Sequence, residues 1–118
     1  MTTDSNCLFC NIVAGTIPST QVYSDEWVIV FKDINPKAQV HLLIVPREHI
    51  VSLNEIEQRH DVLIGHIMRL LPKIAKEQGL NDGFRTVINT GAGGGQVVFH
   101  LHVHLLGGKG LHGVGFFE

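Results

Sequence analysis

His100-Leu101-His102-Val103-His104-Leu105-Leu106 alternates imidazole and aliphatic side chains with period two. In an extended strand all three rings project from one face while Leu101, Val103 and Leu105 point into a core, with successive histidines about 7 Å apart. Packing alone explains this poorly. Each ring needs partners for two nitrogens, and β-propensity favours Val, Thr or Tyr at such positions. Three readings stand side by side: a structural strand, a triplet of metal ligands, and a set of acid, base or nucleophile groups. Imidazole titrates near neutral pH and is nucleophilic when neutral, which favours the third.

The residues just upstream point the same way. Gly91-Ala92-Gly93-Gly94-Gly95 can adopt positive φ and turn several backbone N–H groups toward one anion, and Asn89 adds a side-chain amide. This stretch reads as a phosphate cradle, against the plainer alternative of a flexible loop. It is not a P-loop, because no Gly-Lys-Ser/Thr follows. Nor is it a dinucleotide-binding turn, because a strand rather than a helix comes next.

Working outward, Val97 to Leu106 is the expected last strand and Phe84 to Asn89, after the turn Asn81-Asp82-Gly83, the one before it. From Asp61 to Gln78 the apolar spacing predicts the principal helix, ending at Gly79. Leu63, Ile64, Ile67, Met68, Leu70, Leu71, Ile74 and Ala75 span an arc of about 160°, wider than one sheet requires. That width predicts a second buried contact, such as a partner subunit, while Pro72 predicts a kink or interruption. Ser52-x-x-Glu55 has the spacing of a capped helical turn. Earlier, Gln21 to Tyr23, Trp27 to Lys32 and Val40 to Val45 read as three antiparallel strands, the last ending at Pro46. They are joined by Ser24-Asp25-Glu26 and by Asp33-Ile34-Asn35-Pro36-Lys37. A short N-terminal helix is expected from Cys7 to Ala14, capped by Asn6 and stopped by Gly15, with a turn at Ile17-Pro18-Ser19. The fold class is therefore α+β, with an antiparallel sheet of about five strands, one principal helix and a short N-terminal helix.

The 118 residues suit one domain over 1–118, with a glycine-rich tail from about 107 to 118. With 44% apolar and 17% charged residues there is material for a core. A net charge of −2 without runs of one sign gives no basic stripe for nucleic acid. Neither a leader nor a run approaching the ~20 apolar residues of a membrane span is visible, so a cytoplasmic location is expected. Cys7 and Cys10 are too few for a disulfide framework and read as reduced thiols able to hold a metal.

The segment His100 to Leu106 resembles, residue for residue, the signature of the histidine-triad family. The resemblance runs from about Cys7 to Gly108 and includes Leu8-Phe9-Cys10-Asn11-Ile12, Ile17-Pro18, Phe31-Lys32-Asp33-Ile34, His41 to Pro46 and Gly94-Gly95-Gln96. The ending Leu105-Leu106-Gly107-Gly108 is similar to the branch of nucleoside phosphoramidases. The resemblance implies a histidine-triad-like fold and a homodimer. It also implies hydrolysis of the P–N bond in purine nucleoside 5′-phosphoramidates and of aminoacyl adenylates, releasing AMP. The expected partner is thus a purine nucleoside monophosphate or phosphoramidate, with no catalytic cofactor, no nucleic acid and no membrane. A nucleotide-binding regulatory module with negligible turnover is the alternative.

By the same resemblance His102 attacks the α-phosphorus to form a nucleotidyl-histidine, and His104 contacts phosphoryl oxygens. His100 and His41 fix the tautomer of His102 and relay protons. Asp33 accepts the ribose hydroxyls, while Phe9, Ile12, Ile17, Phe31 and Ile34 enclose the base. Asn89, Gly95, Gln96 and position 97 border the phosphate. Val97 stands where many relatives carry a serine that helps protonate the leaving amine, and the tail lacks the tryptophan found in some relatives near position 113. Cys7-x-x-Cys10 has the local spacing of a zinc knuckle. Some bacterial members carry a structural Cys₂His₂ zinc site, which the resemblance places on Cys7, Cys10, His49 and His100. His60, His66 and His112 receive no role beyond surface or helix positions.

Overall fold

A computed structural model describes residues 4–111. The helices are α1 (Leu8–Val13) and α2 (Asp61–Glu77), and the strands are β1 (Gln21–Ser24), β2 (Val28–Lys32), β3 (Val40–Pro46), β4 (Arg85–Val87) and β5 (Val103–Gly107). Short 3₁₀ turns lie at Leu53–Glu55, Gln58–His60 and Ala92–Gly94. The five strands form one antiparallel sheet in the order β1-β2-β3-β5-β4. Solved proteins share this arrangement, as reported below.

Both faces of the sheet are covered, which is why β2 and β3 read as nearly continuous apolar runs. Val28 and Val30 of β2, Leu42 and Ile44 of β3, and Leu101, Val103 and Leu105 pack on one side with Leu63, Ile67, Leu70, Leu71 and Ile74 of α2. Ile29, Phe31, Leu43 and Val45 turn to the other side and meet Phe9 and Ile12 of α1. Period-two alternation then puts His41 on the α1 side of β3. It puts His100, His102 and His104 on that same side of the chain entering and forming β5. The shorter helix covers less of its face, so a cavity stays open there.

Several local expectations are corrected. The first helix is capped by Cys7, whose Sγ accepts from the Cys10 N–H, while the Asn6 N–H is taken by Asp4. Pro72 neither kinks nor breaks α2. It sits on the exposed side, where the Met68 carbonyl that it frees can meet water. The buried stripe of α2 is narrower than the apolar arc, since Ile64 is half-buried and Met68 is 43% exposed. Gly79, at φ 79°, ends the helix as expected. The strand expected over 84–89 contracts to Arg85–Val87, and the one expected over 97–106 begins only at Val103. The second contraction has a physical cause. Pairing of β5 with β3 stops at Ile44 opposite Val103, because Pro46 has no N–H to continue the ladder and its carbonyl accepts from the His100 ring.

Among the described residues no helix is long and apolar enough to cross a membrane. Most of the glycine-rich tail, including His112 and the missing tryptophan position, lies outside the described residues.

Candidate active site

The histidines of the α1 face are almost wholly buried. Phe9 supports them edge-on, its ring centroid 5.0 Å from His102, 6.0 Å from His100 and 5.6 Å from Phe31. Burial pushes His104 down to about 3, and the neighbouring His102 and His41 push the same way. Burial also lowers His100 to about 4, with His49 and His102 adding to the effect and the Pro46 carbonyl opposing it. His41 is lowered by burial, against the attraction of Asp33. These three rings are therefore neutral near pH 7, and each has one donor and one acceptor nitrogen.

Their partners fix which nitrogen is which. The Lys37 N–H donates to Nδ1 of His41 at 3.1 Å, so the His41 proton sits on Nε2, which donates to Nδ1 of His104 at 2.9 Å. His104 is thereby held with its proton on Nε2, the form that can donate to an anionic oxygen. Asp33 Oδ2 lies 3.5 Å from His41 Nε2 and favours that polarity. In His102, Nδ1–H donates to the His100 carbonyl oxygen at 2.6 Å, which leaves the lone pair on Nε2. His100 donates from Nε2 to the Pro46 carbonyl at 2.8 Å. The expected division of labour therefore changes. His41 acts on His104 rather than on His102, and His100 acts on His102 through its backbone oxygen rather than its ring.

His102 and His104 border a cavity of about 430 Å³. Of the residues expected to hold a nucleoside, Phe9, Ile12, Ile17, Phe31, Asp33, Ile34 and Val97 all line it. Asn89, Gly95 and Gln96 are instead engaged in the glycine turn. Asn89 Nδ2 donates to the Gly94 carbonyl at 2.8 Å, and a Cβ at Gly95, whose φ is 86°, would come within 3.3 Å of that nitrogen. Gln96 is buried, accepting from the Gly91 N–H and donating to the Val51 and Val98 carbonyls. The walls also include Leu8, Asn35, Lys37 and Leu43, which the sequence reading missed. Leu43 was findable, since it lies two residues from His41 on the same face of β3. Lys37 was not, because its position depends on how the loop before β3 folds back.

A second group lies behind the first. Cys7, Cys10, His49 and His100 bring their ligand atoms within 4.8 Å of one another. Nδ1 of His100 is 3.3 Å from Cys7 Sγ, 3.5 Å from Cys10 Sγ and 3.3 Å from His49 Nδ1, and Cys10 Sγ is 3.2 Å from His49 Nδ1. Zn–N bonds of ~2.0–2.1 Å and Zn–S bonds of ~2.3 Å give a tetrahedron with N–N and N–S edges of about 3.3–3.6 Å. The donor set and spacing thus fit a zinc ion, and the His100 Nε2–H bond to Pro46 leaves the ring's Nδ1 lone pair facing the group. The chain could hold a metal here without rearrangement.

His60 and His66 are corrected too. His60 is buried, accepting the Glu57 N–H at Nδ1 and facing Glu48 through Nε2 at 3.1 Å. His66 lies 2.6 Å from Asp25 Oδ2 and ties α2 to the β1–β2 turn.

A family model described as "Scavenger mRNA decapping enzyme C-term binding" matches residues 6–113. A HIT family hydrolase from Clostridium thermocellum superposes with a TM-score of 0.88 at 45% identity, covering 92% of this chain and 96% of that one. The chain belongs to the histidine-triad family of hydrolases. Within that family, protein HitA of Neisseria gonorrhoeae is 53% identical over 86% of this chain and 95% of its own length. The purine nucleoside phosphoramidase of Escherichia coli is 41% identical over 88% of each. A 14 kDa zinc-binding protein of Zea mays is 45% identical over 92% of this chain and 87% of its own length. A Zn-bound histidine-triad protein from Mycobacterium smegmatis aligns at a TM-score of 0.78 and 31% identity, covering 94% of this chain and 81% of that one.

Proposed function

We propose that this histidine-triad protein hydrolyses the P–N bond of purine nucleoside 5′-phosphoramidates, and aminoacyl adenylates with them, releasing AMP through a nucleotidyl-histidine on His102. The observation that carries the reading is the 2.6 Å bond from His102 Nδ1 to the His100 carbonyl, which leaves the Nε2 lone pair on a ring bordering the 430 Å³ cavity. A neutral imidazole with its tautomer held is a competent nucleophile. The cavity suits a flat apolar base bounded by Phe9, Phe31, Ile12 and Ile17, with Asp33 to accept ribose hydroxyls.

In the first step Nε2 of His102 bonds to phosphorus and the P–N bond breaks. The leaving nitrogen takes a proton from solvent, since Val97 has no hydroxyl to offer. Throughout, His104 Nε2–H stabilises charge on a phosphoryl oxygen. Water then attacks phosphorus, the N–P bond to His102 breaks, and the proton borrowed earlier returns to solvent. Purine nucleoside phosphoramidase is the name of one relative, which supports the substrate class.

Zinc would be held by Cys7, Cys10, His49 and His100, where it supplies a structural cross-link and no reaction step. Those residues join α1, the segment after β3 and the chain entering β5, so the link steadies the His100 carbonyl on which His102 depends. A homodimer is supported by the exposed apolar Met68 and Phe84 beside edge strand β4, and a cytoplasmic location by the paired thiols. A second reading, a nucleotide-binding module with negligible turnover, is favoured only by the missing hydroxyl at Val97.

The test is incubation with adenosine 5′-phosphoramidate, with and without a chelator, following AMP release and a transient nucleotide adduct on His102. Turnover should be independent of added metal, and His102→Ala should lower kcat about a thousandfold while AMP still binds. Turnover that survives His102→Ala refutes the mechanism. Tight AMP binding without turnover in the wild type selects the regulatory module.

A further inference from the structure

A second cavity, of about 440 Å³, adjoins the nucleotide cavity and shares Leu8, Val97 and Val98 with it. Four apolar side chains stand partly in solvent around it: Val97 is 66% exposed, Phe99 47%, Leu8 45% and Val51 39%. Apolar surface gathered around one concavity marks a place where something binds. Among the described residues that border it, Asp4 supplies the formal charge and there is no Lys or Arg, whereas Lys32 and Lys37 border the first cavity. The Nδ1 edge of His49 is turned to Cys10. Anions are thus favoured in the first cavity and disfavoured in the second.

We propose that this second cavity receives the leaving group and selects primary amines with an aliphatic or aromatic body and no carboxylate. The inference rests on the phosphoramidate reading of the neighbouring cavity. In phosphoryl transfer the nucleophile and the leaving group lie roughly in line across phosphorus. His102 borders the first cavity, and among the described residues neither it nor His104 borders the second. A substituent directed away from His102 crosses the rim of Leu8, Val97 and Val98 into the second cavity. There its apolar body meets Phe99 and Val51 while Asp4 repels a carboxylate. Val97 gives this rim an apolar surface in place of a hydroxyl.

Three adenosine 5′-phosphoramidates that differ only in the amine test this: ammonia, phenethylamine and phenylalanine, the last adding one carboxylate to the second. The wild type should show kcat/KM about tenfold higher for the phenethylamine compound than for either of the others. Phe99→Ala should remove most of that advantage while leaving the ammonia compound within about twofold, and Val51→Ser should do the same more weakly. Asp4→Lys, at an exposed position, should reverse the discrimination against the phenylalanine compound. Equal kcat/KM for all three amines, or a preference that Phe99→Ala, Val51→Ser and Asp4→Lys all leave in place, overturns the proposal and leaves the patch as cover for another protein surface. If the wild type hydrolyses none of the three, the phosphoramidase reading fails first and takes this one with it.

Discussion

Replacing Asp25 by asparagine removes one charge and almost no volume, at the point where α2 is tied to the β1–β2 turn. Oδ1 of Asp25 accepts the Trp27 and Val28 N–H groups at 2.8 and 2.9 Å, while Oδ2 accepts the Tyr23 hydroxyl at 2.8 Å and lies 2.6 Å from His66 Nε2. Burial alone would push this carboxyl up. The two backbone N–H groups, followed by His66 and Tyr23, outweigh burial and hold it at about 2, below its ordinary 3.8. That difference corresponds to about 2.5 kcal/mol at pH 7. With Asp25 20% and His66 32% exposed, solvent screens part of it, and about 2 kcal/mol is expected. Because the folded-state value is depressed, this stability is fully present above pH 3.8 and is lost as pH falls through about 2. Urea denaturation of wild type and Asp25→Asn at one protein concentration should show a gap of about 2 kcal/mol at pH 7 and roughly half of that at pH 3. A gap below about 0.5 kcal/mol at pH 7, or one that is the same at both pH values, refutes the reasoning.

Three further outcomes follow from the site. His41→Ala removes the donor that holds His104 in its Nε2–H form, so kcat on adenosine 5′-phosphoramidate should fall about a hundredfold with KM changed less than about threefold; an unchanged kcat in steady-state kinetics rules out that role. Elemental analysis should find about one zinc per chain, and Cys10→Ser or prolonged chelation should remove it and lower Tm by more than about 10 °C. Wild-type protein prepared without chelator and lacking zinc contradicts that reading. Gln96→Leu leaves the Gly91 N–H and the Val51 and Val98 carbonyls without their buried amide partner, and should cost about 2–4 kcal/mol in urea denaturation. A cost near zero means that the turn does not depend on Gln96.

The sheet was legible because its alternation is local. Ile29 and Phe31 against Val28 and Val30, and the histidines against Leu101, Val103 and Leu105, declare two faces wherever the strands end up. Leu43 could have been added to the cavity wall by that same rule. What stayed hidden were bonds between side chains and backbone groups far away in sequence. Gln96 was read as a nucleotide contact because it sits between a glycine turn and the triad, yet its amide reaches Val51, 45 residues away. His60 and His66 looked idle on a helix because Glu48 and Asp25 come to them from other elements. Pro72 was weighed as an interior proline, without knowledge that it faces water.

The most consequential misreading is the strand expected to run through all three histidines. A ladder there would have occupied the His100 carbonyl, and His102 Nδ1 would have lost the acceptor that fixes its tautomer. Pro46 ends the ladder on the β3 side and Val87, opposite His104, ends it on the β4 side, so β5 starts at Val103. Upstream of that point alternation persists without pairing. Leu101 still enters the α2 core, but the backbone oxygens of Pro46 and His100 are left to take ring protons from His100 and His102. The sequence period places the rings on one face, and the early end of the sheet supplies the acceptors that set their tautomers. Site chemistry therefore depends on a proline in β3 as directly as on the histidines themselves.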